Sequence, residues 1–347
     1  MRHSTTIAVD LAKSVFEVAV SDRPGRVVER HRLSRTAFVK FLADRRPATV
    51  LLEACGTAHH WGRVAKDLGH RPVLLPPHGV RPYILRNKTD RSDTKGLLEA
   101  HRNEDLAPVP VKSVAQQAIT ALHRSRSAWL GTRTARINLV RGVLREFGIT
   151  VPVGARNVVP KVTSHLQDPS SIVPSVVRPI LEFVCAEIRE LEQRIRAVER
   201  QLNDLARDIP AVRRLMTIPG IGLLTATALV AFVGDVVRFR SGRRFASYLG
   251  LTPRERSSGF VRRLGAISKR GDAYLRMLLT HGARAVLRAA AVSAANGKRL
   301  DRLRNWAVGI QRLRGHNKAT IALANKLARI AWAVWRRDET FKEAPIH

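Results

Sequence analysis

A chain of 347 residues with 45% hydrophobic content can form two or three domains with a sizeable core, and wholesale disorder is excluded. Its 61 Lys and Arg face only 28 acids, a net charge of +33 spread along the whole sequence, so a polyanion is the leading partner. No apolar run approaches the ~18–20 residues of a membrane span; Asp10, Lys13 and Glu17 interrupt any signal-peptide core; and Cys55 and Cys185 supply neither a disulfide framework nor a zinc set, so a cytoplasmic protein is expected.

Residues 5–10 read as a strand ending on the carboxylate of Asp10, and Val15 to Val20 as a second, half-buried strand. Pro24-Gly25 is a turn signal, and a third strand from about Arg26 to Leu33 completes a meander. A helix around Thr36 to Ala43, a buried strand from Ala48 to Leu52 ending at Glu53, a helix over His60 to Leu68 and a strand at 71–75 follow. Three strands, helix, strand, helix, strand is the order of the α/β ribonuclease-H-like fold. There the first and fourth strands are parallel neighbours, which sets Asp10 beside Glu53 at the carboxyl edge of the sheet, where open α/β sheets place their sites. His59 and His60 follow on the next helix and read as structural or phosphate-contacting.

Lys88-Thr89-Asp90-Arg91-Ser92-Asp93 sets two scarce acids three residues apart. A helix opening near Thr89 puts both carboxylates on one face, with Cβ atoms roughly 5–6 Å apart, a spacing that suits a shared divalent cation. The same two acids also suit a helix N-terminus, whose dipole favours negative charge. Joined with Asp10 and Glu53 they make a four-carboxylate set, self-repelling without a cation, able to hold Mg2+ or Mn2+ with a substrate phosphate.

A long helical region from Val114 to Phe147 leads to a proline-bearing stretch, Gly148 to Pro179, that reads as a linker. From there Leu181, Val184, Ile188, Leu191, Ile195, Val198, Leu202 and Leu205 alternate steps of three and four, the stripe of a coiled coil and of self-association. The competing reading is an amphipathic helix packed on its own domain. Ile218-Pro219-Gly220-Ile221-Gly222 before an apolar helix is a helix-hairpin-helix signature, with Gly220 and Gly222 offering backbone N–H groups to a phosphate. The expected domains are 1–147 with the four acids, a linker at 148–179, a coiled coil at 180–208, and a mostly α-helical domain at 209–347.

Between Asp235 and Leu279, Arg243, Arg244, Arg254, Arg256, Arg262, Arg263, Lys269 and Arg270 are interleaved with Phe239, Phe245, Tyr248, Phe260 and Tyr274, the composition of a nucleic-acid surface. Arg outnumbers Lys here, favouring bidentate phosphate or guanine contacts. Phe245, Tyr248 and Leu249 have helical spacing, so some rings belong to a core. Ser257-Ser258-Gly259 reads from its own residues as a flexible turn, because no local residue pattern supplies a base. Helices over Asp272 to Asn296, around Leu300 to Leu313 and over Asn317 to Trp335 close the chain, with Trp332 and Trp335 in a core.

Several stretches together carry a resemblance. They are Ile7-Ala8-Val9-Asp10; Leu52-Glu53-Ala54-Cys55-Gly56-Thr57; Arg86-Asn87-Lys88-Thr89-Asp90-Arg91-Ser92-Asp93; Ile218 to Gly222; and Phe245 to Arg254 leading to Ser258-Gly259. Over nearly its full length the chain resembles the DEDD-type insertion-sequence transposases, the one-ten family of bridge-RNA-guided recombinases with the Piv-like invertases as relatives. The resemblance implies a RuvC-like domain whose acids are Asp10, Glu53, Asp90 and Asp93, and a transposase domain whose nucleophilic serine is Ser258, with Ser257 its neighbour. It further implies a phosphoserine link to DNA, donor and target DNA paired with a bridge RNA, and dimers or tetramers whose composite site joins two protomers, working at the bacterial nucleoid. The alternative is a RuvC-like, metal-dependent nuclease of the Holliday-junction-resolvase kind, which uses water and leaves no protein–DNA adduct.

Overall fold

A computed structural model of the chain describes residues 5–84 and 89–342. It divides into two compact units, one ending at Gln117 and the other beginning at Ala118. The expected boundary at residue 147 instead coincides with the end of a long helix that starts at Val114.

The first unit contains β1 (Thr6–Asp10), β2 (Val15–Arg23), β3 (Arg26–Ser34), α1 (Arg35–Ala43), β4 (Thr49–Glu53), α2 (Ala58–Asp67), β5 (Arg71–Leu75), α3 (Pro77–Val80) and α4 (Asp90–His101). The strand order is β3-β2-β1-β4-β5. β1 pairs antiparallel with β2 and parallel with β4, so the meander and the parallel neighbours both follow the expected ribonuclease-H-like order. Strand alternation sorts the side chains. Ile7, Val9, Phe16, Val18, Val50, Leu52 and Leu74 pack with Phe38 and Leu42 of α1 and Trp61 of α2 on one face. Ala8, Leu51, Val73 and Leu75 meet Leu97 and Ala100 of α4 on the other. Phe16 contacts Phe38 and Trp61 edge to face at 5.4 and 4.9 Å, a geometry that adds roughly 0.5–1.5 kcal/mol per pair to burial. Buried His70 joins two elements: its Nδ1 accepts from the Ala48 amide at 3.1 Å, and its Nε2 donates to the Leu42 carbonyl at 2.9 Å.

The second unit is built from α5 (Val114–Glu146), α6 (Val158–Gln167), α7 (Arg178–Arg207), α8 (Pro210–Leu215), α9 (Leu223–Val233), α10 (Gly242–Tyr248), α11 (Ala273–Ala295), α12 (Arg302–Arg314) and α13 (His316–Arg337), plus a two-stranded hairpin, β6 (Pro253–Glu255) and β7 (Leu264–Ile267). Its main core gathers α8 to α13, with Trp332 and Trp335 packed against it as expected.

Two expectations for this unit are corrected. The stretch at 148–179 is not a bare linker, because Ile149, Val158, Val162 and Val173 are buried with Ile137, Val140 and Leu144 of α5 and Leu181, Cys185 and Ile188 of α7. The heptad stripe of α7 is real, but it faces the chain's own α5: Val198 and Leu202 share a cluster with Ile119, and Leu205 is exposed while Ala206 is buried in its place. Three ion pairs, Arg126–Glu199, Arg133–Glu192 and Arg136–Glu187, run in opposite numerical directions along the two helices, the register of an antiparallel pair. A coiled coil between chains through this stripe would have to displace α5.

Candidate active site

Sheet register positions the first group of acids. Asp10 and Glu53 directly follow Val9 and Leu52, which are paired on parallel neighbours. Both therefore occupy the α4 side of the sheet, with strands about 5 Å apart. Across β1, Asp10 is paired with Glu17 of β2, so three acids stand in a row over three adjacent strands. Glu17 is an acid that the sequence pattern did not single out. The clue was its place one hairpin away from Asp10, with the same alternation parity.

The first turn of α4 brings the other two acids. Thr89 is the helix cap: its Oγ1 accepts from the Ser92 amide at 3.2 Å, and Ser92 Oγ accepts from the Thr89 amide at 2.9 Å. This capping box fixes where the helix opens, and so sets Asp90 and Asp93 in its first turn. Asp90 lines a cleft with Glu17, Arg30, Arg32 and Arg91, so acids and cations meet there. Arg30 donates to Thr94 Oγ1 at 3.3 Å, holding β3 to the same helix. Arg86, Asn87 and Lys88 of the sequence motif lie outside the described residues.

Among the described residues no three His, Cys, Asp or Glu side chains converge closely enough to hold a metal ion. The acids thus share one side of the sheet without closing into a cage. The pair Asp10 and Glu53 still suits magnesium, which takes one or two carboxylates, keeps several waters and completes its shell with substrate phosphate. His59 has a structural role, its Nδ1 accepting from the Lys112 amide at 3.2 Å.

The hairpin β6–β7 presents the two serines. Its base is fixed by backbone crossings that demand glycine: Gly250 has φ +70, and a Cβ on Gly271 would lie 2.1 Å from the Tyr248 carbonyl. Ser268 and Lys269 amides donate to Thr252 and Gly250 carbonyls at 2.8 and 3.1 Å, and Asn325 of α13 donates to the Leu251 carbonyl at 3.1 Å. The tip is exposed from Pro253 to Ala266, including Phe260.

The serines differ in their partners. Ser257 Oγ donates to Glu255 Oε1 at 2.8 Å and accepts from the Arg263 amide at 3.3 Å, so its hydroxyl is part of the hairpin's bonding. The bond from Ser257, and next the Arg262 guanidinium at 3.1 Å, hold the Glu255 carboxyl below the usual carboxylate range, which makes it a weak base. Ser258 engages the hairpin through its backbone, exchanging hydrogen bonds with Val261, and its Oγ makes no side-chain hydrogen bond among the described residues. Glu255 as the partner of Ser257 was not legible in sequence.

The eight cations expected on a nucleic-acid surface, Arg243, Arg244, Arg254, Arg256, Arg262, Arg263, Lys269 and Arg270, are all exposed. Arg238 stacks over Phe239 and Tyr248 at 4.5 and 4.6 Å; Phe239 is buried in the main core, whereas Tyr248 is exposed. In the turn between α8 and α9, Gly220 has φ +82, and a Cβ on it would lie 2.8 Å from the Gly282 carbonyl. Close approach to α11 is one reason for glycine at 220; Gly222 is exposed at the start of α9.

A family profile described as Transposase IS116/IS110/IS902 family matches residues 212–297, and one described as Transposase, of the DEDD IS110 type, matches residues 7–149. The chain is 40% identical over 97% of its length to a probable family 20 transposase of Pseudomonas aeruginosa, covering 98% of that protein. The chain belongs to the IS110/IS116/IS902 transposase family. It is also 35% identical, over 99% of its length and 92% of the relative's, to the transposase for insertion sequence element IS1111A of Coxiella burnetii. A pilin gene-inverting protein of Moraxella bovis is 30% identical over 84% of this chain and 81% of its own. The two profile matches fall on the acid-bearing sheet and on the serine hairpin with its supporting helices, the same two regions that carry the candidate chemistry. As an insertion-sequence transposase the chain is a DNA-cleaving and recombining enzyme, and among the described residues no helix is long and apolar enough to cross a membrane.

Proposed function

We propose that this transposase cuts and rejoins DNA through a phosphoserine intermediate formed by Ser258. Its Oγ attacks phosphorus and gives its proton to water, a new P–O bond forms as the bond to a deoxyribose oxygen breaks, and the departing oxygen takes a proton from water. Attack by a strand-end hydroxyl reverses the step and frees the serine. The observation that carries the reading is the unengaged Ser258 hydroxyl at the tip of an exposed hairpin, flanked by Arg254, Arg256, Arg262 and Arg263. Guanidinium groups in that position hold a scissile phosphate bidentately and stabilise the charge that builds on it.

Asp10, Glu53, Asp90 and Asp93 are the residues that would hold Mg2+ or Mn2+. Such an ion would supply Lewis-acid polarisation of the phosphodiester. The row of acids across β2, β1 and β4, together with Asp90 in a cleft lined by arginines, supports this assignment. In this reading a bridge RNA guides donor and target DNA, and a charge of +33 supports a second polyanion beside the DNA. Phosphate contact at Gly220 and Gly222, and assembly as a dimer or tetramer, complete the reading.

The test is cleavage of insertion-sequence ends by wild type and Ser258→Ala, resolved on denaturing gels with and without protease. The wild type should give a protease-sensitive protein–DNA adduct that the variant lacks. Free 5′-phosphate ends without an adduct, made equally by both, would establish the water-using nuclease instead. Sequencing the RNA that copurifies tests the guide: one defined non-coding RNA is expected, and random cellular RNA would remove that part.

A further inference from the structure

Behind the serine hairpin lies a cavity of about 1080 Å³, walled by Pro253 and Gly265 to Ile267 of the hairpin, Trp306 of α12 and the exposed face of α13. Its floor is apolar, with Ile267, Ile321 and Ala322, while Lys318, Lys326 and Arg329 contribute cations and none of the lining residues is acidic. The Lys326 ammonium lies 3.9 Å from the centroid of the Trp306 ring. Burial first, and then repulsion from Arg302 and Arg329, draw the Lys326 pKa below its ordinary value. No ion pair involving Lys318, Lys326, Arg329 or Arg302 occurs among the described residues. Like charges gathered without acids around a half-buried apolar hollow are unfavourable in the free chain and become favourable when an anion enters.

We propose that this cavity is a nucleotide subsite, taking one unpaired base of a DNA strand against Trp306 and the apolar floor, with its phosphate on Lys326, Lys318 and Arg329. A flat base fits a site with an aromatic edge and aliphatic floor, where stacking contributes about 1–3 kcal/mol per base regardless of sequence. An apolar peptide would fill the floor but leave the cations unmatched. DNA is assigned because the hairpin itself is one wall. From Pro253 to Ser258 is five residues, at most about 16 Å of extended chain, so a strand cut at the tip passes within a few nucleotides of the cavity. The assignment to DNA rests on the proposed role of Ser258; the base-plus-phosphate chemistry does not.

The experiment uses the full-length chain carrying Ser258→Ala, so that binding is read without cleavage. A twelve-nucleotide oligothymidylate containing 5-iododeoxyuridine is photocrosslinked, and the attachment is mapped by peptide mass spectrometry. Affinities are then measured at physiological salt for the same strand, for an abasic strand of equal length and for oligouridylate, with wild-type Lys326 and with Lys326→Gln. Crosslinking to the peptide that holds Trp306 is expected. Lys326→Gln and Trp306→Leu should each weaken oligothymidylate binding about tenfold, with a smaller effect of Trp306→Leu on the abasic strand. Crosslinks confined to other peptides, or equal affinity of the Lys326 variant and its parent, would overturn the subsite. Equal loss for the base-bearing and abasic strands with Trp306→Leu would reduce it to a phosphate patch and overturn the base pocket. Binding of oligouridylate with little or no binding of oligothymidylate would overturn DNA as the occupant. Cleavage by the wild-type chain with no crosslink at Trp306 in the Ser258→Ala chain sinks this inference and spares the role of Ser258; a crosslink at Trp306 beside a wild-type chain that never cleaves does the reverse.

Discussion

Asp10 at the end of β1 and Glu17 of β2 stand directly opposite one another in the antiparallel register, two half-buried carboxylates facing each other across one strand spacing. Like charges in opposed cross-strand positions cost stability, of order 0.2–1 kcal/mol. Glu17→Gln should therefore raise the unfolding free energy of the sheet unit by about that amount in chelator-treated buffer. Adding Mg2+ should stabilise wild type more than the variant, narrowing the gap. A variant that is less stable than wild type without the cation would show that the two acids are compensated by the protein itself. Urea titration with and without EDTA reads both outcomes.

The two serines should separate cleanly on substitution. Ser257→Ala removes a donor to Glu255 and an acceptor for the Arg263 amide, so it loosens the hairpin and should lower cleavage severalfold, with adduct formation retained. Ser258→Ala removes a hydroxyl that makes no internal side-chain bond, so it should leave folding unchanged and abolish the adduct. Circular dichroism together with adduct yield on the two variants decides. Loss of the adduct in Ser257→Ala, with retention in Ser258→Ala, would move the nucleophile to the serine that has a carboxylate at 2.8 Å.

The sheet was legible because its strands combine period-two burial with Gly and Pro turns, and the opening of α4 because Thr89 caps ahead of Asp90. Each of those signals is local. Glu17 carried only a faint clue, its place one hairpin away from Asp10, since the pairing itself depends on hairpin register, which only the folded meander fixes. α6 was hidden by prolines and by its shortness: Val158 and Val162 give a single helical step, too little periodicity against Gly148 to Pro179. β6 and β7 carry almost no apolar alternation, and their pairing is held instead by Ser257, Glu255, Arg262 and the glycine crossings at the base. The α7 stripe was read correctly as a stripe. Its partner was not, because an antiparallel mate some sixty residues upstream leaves the same heptad pattern as a second chain does.

That intramolecular pairing can be checked at Ile188, which is fully buried with Val140 and Leu144. Ile188→Ala should cost about 2–5 kcal/mol of stability, as a cavity in a packed core does. The sedimentation mass at fixed concentration should stay that of wild type, since no inter-chain contact is lost. A fall in mass with little loss of stability would instead mean that the stripe joins two chains.

His123 of α5 is fully buried against α9 and α11. Thr227 spends its hydroxyl proton on the Leu223 carbonyl at 2.7 Å, so its oxygen must accept from His123 Nε2 at 3.0 Å, and Nδ1 must accept from the Tyr274 hydroxyl at 2.9 Å. The neutral ring thus has its tautomer set by its neighbours. Burial, and secondarily the Arg126 charge, pull its pKa from 6.5 to about 4. Because the folded value is the lower one, the unfolded chain takes up the proton first as pH falls. The stabilisation is complete above about pH 6.5 and disappears as pH drops through about 4, a total of roughly 3 kcal/mol. Burial likewise pushes the Tyr274 hydroxyl up, so it keeps its proton to donate throughout this window. Unfolding of the wild type and of His123→Gln, followed by tryptophan fluorescence between pH 7 and pH 4.5, should give a stability slope that is shallower in the variant. Identical slopes would place the acid sensitivity elsewhere in the helical unit.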